Sequence, residues 1–121
     1  MPTTREQSRA QHAYDRVGSA GVSDDYKVMI RSLGPMMLRG GLSASLAWAA
    51  NKKNDASGPV ARGLSSFGIP GLSKPGEELT FTDMLSSANE LDLDRYMLAT
   101  QELLALLVWF KRAVEAPTKG S

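Results

Sequence analysis

Residues 94–114 read DRYMLATQELLALLVWFKRAV, and this stretch decides the fold class. Tyr96, Thr100, Leu103, Leu107, Phe110 and Val114 recur at alternating steps of four and three, which lines them along one side of an α-helix. Leu104, Leu106 and Trp109 widen that side. A helix so broadly apolar is either central to a bundle or partly covered by another chain. Asp92 or Asp94 caps its start, because a short carboxylate accepts from the orphan N–H groups of a first turn. The unbroken apolar run, residues 103–110, lies between Glu102 and Lys111 and falls well short of the roughly 20 residues a membrane span needs. Residues 1–9 are polar and charged with no apolar segment behind them, so no secretory signal is expected and the expected compartment is the cytosol.

Upstream, the same period recurs and strand-like alternation does not. Thr80-Phe81-Thr82-Asp83 opens a short helix through Met84, Leu85 and Ala88 with a capping-box pattern. Tyr26, Met29, Ile30, Leu33 and Met37 form the stripe of another helix, opened by Ser23, Asp24 and Asp25 and interrupted by Gly34-Pro35, where a kink with a continuous apolar face is expected. Ala10, Ala13, Tyr14 and Val17 predict the buried face of a first helix that ends at Gly18 and Gly21. Gly40-Gly41 separates the second helix from a third over residues 42–52, rich in Ala and Ser around Leu42, Leu46 and Trp48. Residues 51–79 hold Gly58, Gly63, Gly68, Gly71 and Gly76 with Pro59, Pro70 and Pro75, a loop-rich connection. Pro59 after Ser57 can still start one short helix carrying Val60, Leu64 and Phe67. The expectation is an all-α single-domain bundle of five to six helices over residues 1–121, with a flexible tail at 116–121.

Composition narrows the chemistry. The chain has 121 residues and a mass of 13.0 kDa, which suits one small domain. With 42% apolar and 22% charged residues it is ordinary globular material. Zero cysteines remove disulfides, thiolate metal sites and cysteine nucleophiles, and the single histidine, His12, removes any site needing two imidazoles. No Gly-Lys-Ser/Thr stands in the glycine-rich segment, because Lys74 is followed by Pro75, so phosphate-loop chemistry is not expected. Residues 63–67, Gly-Leu-Ser-Ser-Phe, lack the second glycine of a nucleophile elbow. The pairs Asp24/Asp25, Glu77/Glu78 and Asp92/Asp94 lie at or near predicted helix starts, where capping and the helix dipole account for them better than metal ligation does. No enzyme, metal or cofactor is expected, and His12 is read as a solvent-exposed or RNA-facing side chain rather than a catalytic base.

Formal net charge is +1 and the pI is about 8.0, too balanced to announce a nucleic-acid binder by itself. Placement says more. Arg5, Arg9, His12 and Arg16 step by four, three and four into a single stripe, roughly 120° from the Ala10/Tyr14/Val17 face. Arg31, Arg39, Lys52 and Lys53 form a second group, and Lys111-Arg112 a third. Forked arginine donors suit phosphate, while a solvated charged face is the plainer reading of the stripe and Lys111-Arg112 also complements a C-terminal dipole. Trp48 and Trp109 lie inside apolar patterns, where packing is preferred to stacking on bases or anchoring a partner.

Several of these segments together resemble one family. The pattern in residues 94–113 of an aspartate, a tyrosine, Ala99-Thr100-Gln101-Glu102, an apolar run and Trp109-Phe110-Lys111-Arg112 is similar to the small subunit of the type III-B CRISPR effector, the Cmr RNA-targeting complex. Residues 26–33 with Pro35, Gly41-Leu42 and Leu46-Ala47-Trp48 resemble its proline-containing helix, Gly-Leu junction and Leu-Ala-aromatic segment, and Arg9-Ala10, Ala13-Tyr14 and Val17 fit as well. The resemblance covers most of the chain outside the Gly/Pro-rich middle. It departs from the family at Gly40, where a small polar residue often precedes Gly-Leu.

The resemblance implies a non-catalytic small subunit in antiviral defence. Copies of it stack as a short filament beside the backbone and large subunits, next to crRNA paired with target RNA, with no membrane partner. On that reading Arg5, Arg9, Arg16, Arg31, Arg39, Lys52, Lys53, Lys111 and Arg112 are candidate phosphate contacts, chosen by charge placement rather than by any family motif. The alternative is a helical protein-interaction adaptor or homo-oligomer without RNA contact. An enzyme using the glycine-rich loop is a third option, for which nucleotide-dependent stabilisation would speak; none is expected.

Overall fold

A computed structural model describes residues 4–116. Six helices are present among them, in the order α1 (Arg5–Ala20), α2 (Asp24–Gly40), α3 (Leu42–Asn51), α4 (Ser57–Ser65), α5 (Phe81–Asn89) and α6 (Leu93–Glu115). The fold is an all-α bundle. The proposed tail beyond residue 116 lies outside the described residues.

Local chemistry sets most helix starts. Thr4 and Gln7 form a reciprocal capping box on α1, Ser23 accepts from Tyr26 N on α2, Thr80 and Asp83 form a second box on α5, and Asp92 rather than Asp94 caps α6 by accepting from Arg95 N. Each such cap contributes about 1 kcal/mol. The α2–α3 junction is different, because Gly41 alone ends one helix and begins the next. Its N–H reaches Met37 O at 2.9 Å, its carbonyl accepts from Ser45 N and from the buried Ser45 hydroxyl, and its φ is +92°. No side chain from α3 itself caps that start. The Tyr96 hydroxyl of α6 accepts from Ser43 N at 2.9 Å instead, satisfying one orphan donor from across the bundle.

Helix α6 packs most extensively against α1 and α2, α3 lies between α2 and α5, and α4 touches α1, α2, α5 and α6. The α2 stripe is buried as the periodicity predicts, at Tyr26, Met29, Ile30, Leu33 and Met37, and the helix runs through Pro35 as one element. On α6 the buried positions are Ala99, Leu103, Leu106, Leu107, Phe110, Ala113 and Val114. Tyr96 and Thr100, expected in the seam, are only half-buried. A straight helix turns at 3.6 residues, so a seam drawn at heptad spacing drifts off the buried face over its length.

One expectation is corrected. Tyr14 is 46% exposed, while Ala13 and Val17 are buried. Helix α1 is rolled about Ala13, so that the side carrying Arg9, His12 and Arg16 faces α4 and α6. The connection over residues 51–79 carries a short helix, as Pro59 after Ser57 predicts. Helix α4 buries Val60 and Leu64, and beyond it Ile69 and Leu72 enter the core with Ala56 and Ala61. Serine hydroxyls knit this segment together. Buried Ser65 accepts from Leu79 N at 2.8 Å, and Ser73 Oγ donates to Ser65 O at 2.7 Å while accepting from Ile69 N at 3.0 Å.

Gly68 sits inside that knot at φ +88°, and a Cβ there would meet the Pro75 ring and nitrogen at 2.8 Å. Gly76 has φ +83° with nothing within 4 Å. Gly68→Ala is therefore expected to cost about 2–4 kcal/mol in urea denaturation, from left-handed strain plus a backbone collision, against about 1 kcal/mol for Gly76→Ala. Equal costs would show that the segment can relax away from Pro75.

Candidate nucleic-acid interface

The arginine stripe of α1 is brought together by the fold, and acids come with it. Arg9 donates to Glu102 of α6 at 2.8 Å and pairs with Glu6 at 3.0 Å, and Arg5 reaches the same Glu102 oxygen at 3.0 Å. The Arg9 and Glu102 side chains are only 14% and 15% exposed. The Arg9 Nε is buried without a hydrogen-bond partner. Burial raises the Glu102 carboxyl, and hydrogen bonds from Arg9 and Arg5 more than offset it, leaving a pKa below the usual 4.5. Glu6 also accepts from Trp109 Nε1 at 2.6 Å, so one oxygen of this carboxylate joins α1 to α6 while the other holds Arg9 within α1. Arg16 pairs with Glu78 at 2.9 Å, which ties the chain before α5 to α1.

His12 lies between these arginines and faces inward, not outward as the sequence reading holds. Its Nε2 is 2.8 Å from Gly63 O and 3.3 Å from Ser66 Oγ, and its ring sits 5.3 Å from Phe67 and 6.1 Å from Phe110. A carbonyl can only accept, so Nε2 carries the proton. Burial holds the imidazole below its usual 6.5; the bond to Gly63 opposes this, Arg16 adds to it and Asp15 opposes it. His12 is thus a neutral clamp between α1 and α4. Burial raises the phenol of Tyr26, against the opposing charge of Arg16, and its hydroxyl has no hydrogen-bond partner among the described residues.

The other candidates are dispersed. Arg31 pairs with Glu115 at 3.1 Å. Lys52 Nζ stands 4.9 Å over the Trp48 ring, and the Arg112 guanidinium 4.6 Å over Trp109. Both tryptophans are partly buried against the core, in keeping with a packing role. Arg39, Lys53 and Lys111 are exposed and make no ion pair among the described residues. Arg62 was not among the candidates. Arg62 is exposed on α4 and lines a cleft with Arg16, Ser19 and Pro59. Its position two residues after the buried Val60 was the available signal, since that offset is roughly 200° around a helix. Of the acidic pairs, Asp24, Asp25, Asp92 and Asp94 stand at helix starts, whereas Glu77 accepts from Lys74 N at 3.1 Å and Glu78 holds Arg16. No group of three His, Asp or Glu side chains among the described residues could hold a metal ion, and no helix there is long and apolar enough to cross a membrane.

Two outcomes follow for stability. The folded chain binds a proton at His12 less tightly than the unfolded chain. That stabilisation is therefore complete above the usual 6.5 and is lost as the pH falls through the lowered value. Glu102 acts in a lower window, below 4.5. His12→Gln, which keeps a donor for Gly63 O, is expected to flatten the decline of melting temperature between about pH 7.5 and 5.5; an unchanged decline would remove His12 as its source. Glu102→Ala leaves the buried Arg9 with only the exposed Glu6 as partner and is expected to cost about 2 kcal/mol, against less than about 1 kcal/mol for the half-exposed Arg5→Ala. Chemical denaturation of the two variants checks the order.

Comparison with known proteins assigns the chain. Residues 5–117 match the family model described as CRISPR-associated protein (Cas_Cmr5). The chain is 30% identical over 117 residues to the CRISPR system Cmr subunit Cmr5 of Thermus thermophilus, covering 93% of this chain and 95% of that protein. The fold agrees with the X-ray crystal structure of a CRISPR-associated Cmr5 family protein from the same species at a TM-score of 0.78 and 27% identity, over 94% of this chain and 96% of that one. With residues 5–117 matched and the fold shared, the chain belongs to the Cas_Cmr5 family of CRISPR-associated proteins, as a small, all-helical member.

Proposed function

We propose that this chain is the filament-forming small subunit of a type III-B CRISPR ribonucleoprotein in the cytosol, stabilising the complex and touching the backbone of the crRNA–target RNA duplex. Its partners on this reading are further copies of itself, the backbone and large subunits, and the two RNAs. Support comes from the family and from one structural observation. Arg39, Lys52, Lys53, Lys111 and Arg112 present charge to solvent without an acid partner among the described residues. Arg5, Arg9, Arg16 and Arg31 are already paired, so phosphate would have to displace Glu102, Glu78 or Glu115 to reach them. We therefore rank the unpaired group first among the nine candidates.

Arg39 lies in the last turn of α2, just before α3, and Lys52-Lys53 follow the end of α3; with the length of α3, about 15 Å by helical rise, between them, they would meet separate phosphates. Contacts of this kind carry no sequence information, and none is needed where guide pairing supplies it. A net charge of +1 gives a single copy little affinity. Copies in a row add their contacts, because each later contact forms at high effective concentration.

Salt dependence separates this reading from an adaptor without RNA contact. For single-stranded RNA, log affinity falls with log salt by about 0.7 per phosphate neutralised. Replacing Arg39, Lys52 and Lys53 together by Gln is expected to flatten the slope by about 2, with melting temperature unchanged. A slope indifferent to all three residues, measured by fluorescence anisotropy, would take them off the RNA surface.

A further inference from the structure

The cleft between α1 and α4 is built from cations and is short of acids. Arg16 and Ser19 of α1 and Pro59 and Arg62 of α4 line it, around a volume of about 240 Å³. Arg62 is exposed, and among the described residues its side chain makes no ion pair. It nevertheless lies back along its own helix, since a Cβ built on Gly58 would stand 2.9 Å from its Nη1 and 3.7 Å from its Cζ. The guanidinium is thereby laid over the first turn of α4, the positive end of the helix dipole, where no acidic side chain stands. Asp55, just before that turn, is exposed and makes no ion pair among the described residues. Arg16 has a single acid, Glu78, at 2.9 Å, and both side chains are open to solvent in part. Two guanidinium groups and a helix start thus meet one carboxylate. Like charges held this close repel one another unless an anion joins them.

We propose that this cleft binds a phosphomonoester dianion, gripped by the Arg16 and Arg62 forks with the Ser19 hydroxyl beside them. Forked guanidinium donors match phosphate oxygens in pairs. Charge sets the class of ligand. When the phosphate takes Arg16 from Glu78, that exposed carboxylate turns to solvent, and two guanidinium charges meet the two negative charges of a monoester. A phosphodiester brings only one. Size agrees, because the cleft is smaller than the about 300–1,000 Å³ that bury a drug-sized ligand, so it holds the phosphate and a small group esterified to it. Gly58 has a positioning role: only a residue without a Cβ lets the Arg62 guanidinium lie so close to the first turn of α4. The same chemistry is offered by a small organic phosphate and by the terminal phosphate of an RNA. The site is separate from Arg39, Lys52 and Lys53 and does not rest on the RNA reading.

Titrating the full chain with methyl phosphate and with dimethyl phosphate at constant ionic strength, followed by amide NMR shifts, tests it. Methyl phosphate is expected to saturate the amides of Arg16, Ser19, Gly58 and Arg62, and dimethyl phosphate to bind at least about tenfold more weakly. Arg62→Gln is expected to weaken methyl phosphate about tenfold and Gly58→Ala about threefold, while Glu78→Gln strengthens it about threefold by removing the competing carboxylate. Arg62 and Glu78 are exposed and Gly58 is half-buried, and an unchanged melting temperature marks each variant as folded. Equal binding of the two esters, shifts centred elsewhere, indifference to Arg62→Gln, or weaker binding on Glu78→Gln would each overturn the site. Two short RNAs separate the sources. A terminally phosphorylated RNA that binds more than about tenfold tighter than methyl phosphate supports an RNA end, and equal affinity supports a small organic phosphate. A hydroxyl-ended RNA that displaces methyl phosphate overturns the monoester assignment. Replacing Arg39, Lys52 and Lys53 by Gln is expected to leave methyl phosphate binding unchanged, so the RNA reading and this one fail separately.

Discussion

Every other part of the bundle leans on the burial of Leu103, Leu106, Leu107 and Phe110 of α6. At roughly 2–3 kcal/mol for each large side chain taken from water, this stretch and the five-residue buried stripe of α2 supply most of the driving force. The other elements arrange themselves to complete it. Helix α1 lies on one flank of α6 and α2 on another, while α4 closes in until a Cβ on Gly63 would stand only 3.3 Å from the Phe110 ring. Tyr96, one turn into α6, then reaches out to cap α3. A single helix thus organises both the hydrophobic centre and one of its polar joints.

Charge is used in this fold first as mortar. Arg5, Arg9 and Arg16 point along the α1 face that meets α4 and α6, and each finds a carboxylate from elsewhere in the chain. For Arg9 the reason is solvation, since a guanidinium at 14% exposure needs an anion more than one at the surface does. His12 solves the same problem by staying neutral and donating to Gly63 O. What remains for a partner is a small surplus of cations at the ends of α3 and α6. That agrees with a near-zero net charge.

Period and punctuation made most of the architecture legible. The α2 stripe, the Thr80–Asp83 box, the start at Ser23 and the breaks at Gly21 and Gly41 reflect forces acting within a turn or two of the chain, and the structure follows them. Val60 and Leu64 announced α4 even inside a Gly/Pro-rich segment. Elsewhere the reading slipped where two faces of one helix competed. Alternating basic and apolar lines on α1 do not reveal which turns inward, and Tyr14 lost to the Arg9/His12/Arg16 side because acids and a carbonyl awaited the latter.

Residue order alone was enough to specify an all-helical chain, where most of its helices begin, which stripe of α2 is buried and the C-terminal half of that on α6, because capping and amphipathic period are local. Which cations are spent was settled only when the bundle closed. Glu102 lies 93 residues from Arg9, Glu78 lies 62 from Arg16, and Gly63 lies 51 from His12, so nothing in their spacing could announce the pairs. The packed turn around Ser65 and Gly68 belongs to the same class. Its order comes from hydrogen bonds and close approach between segments that meet only in the assembled fold.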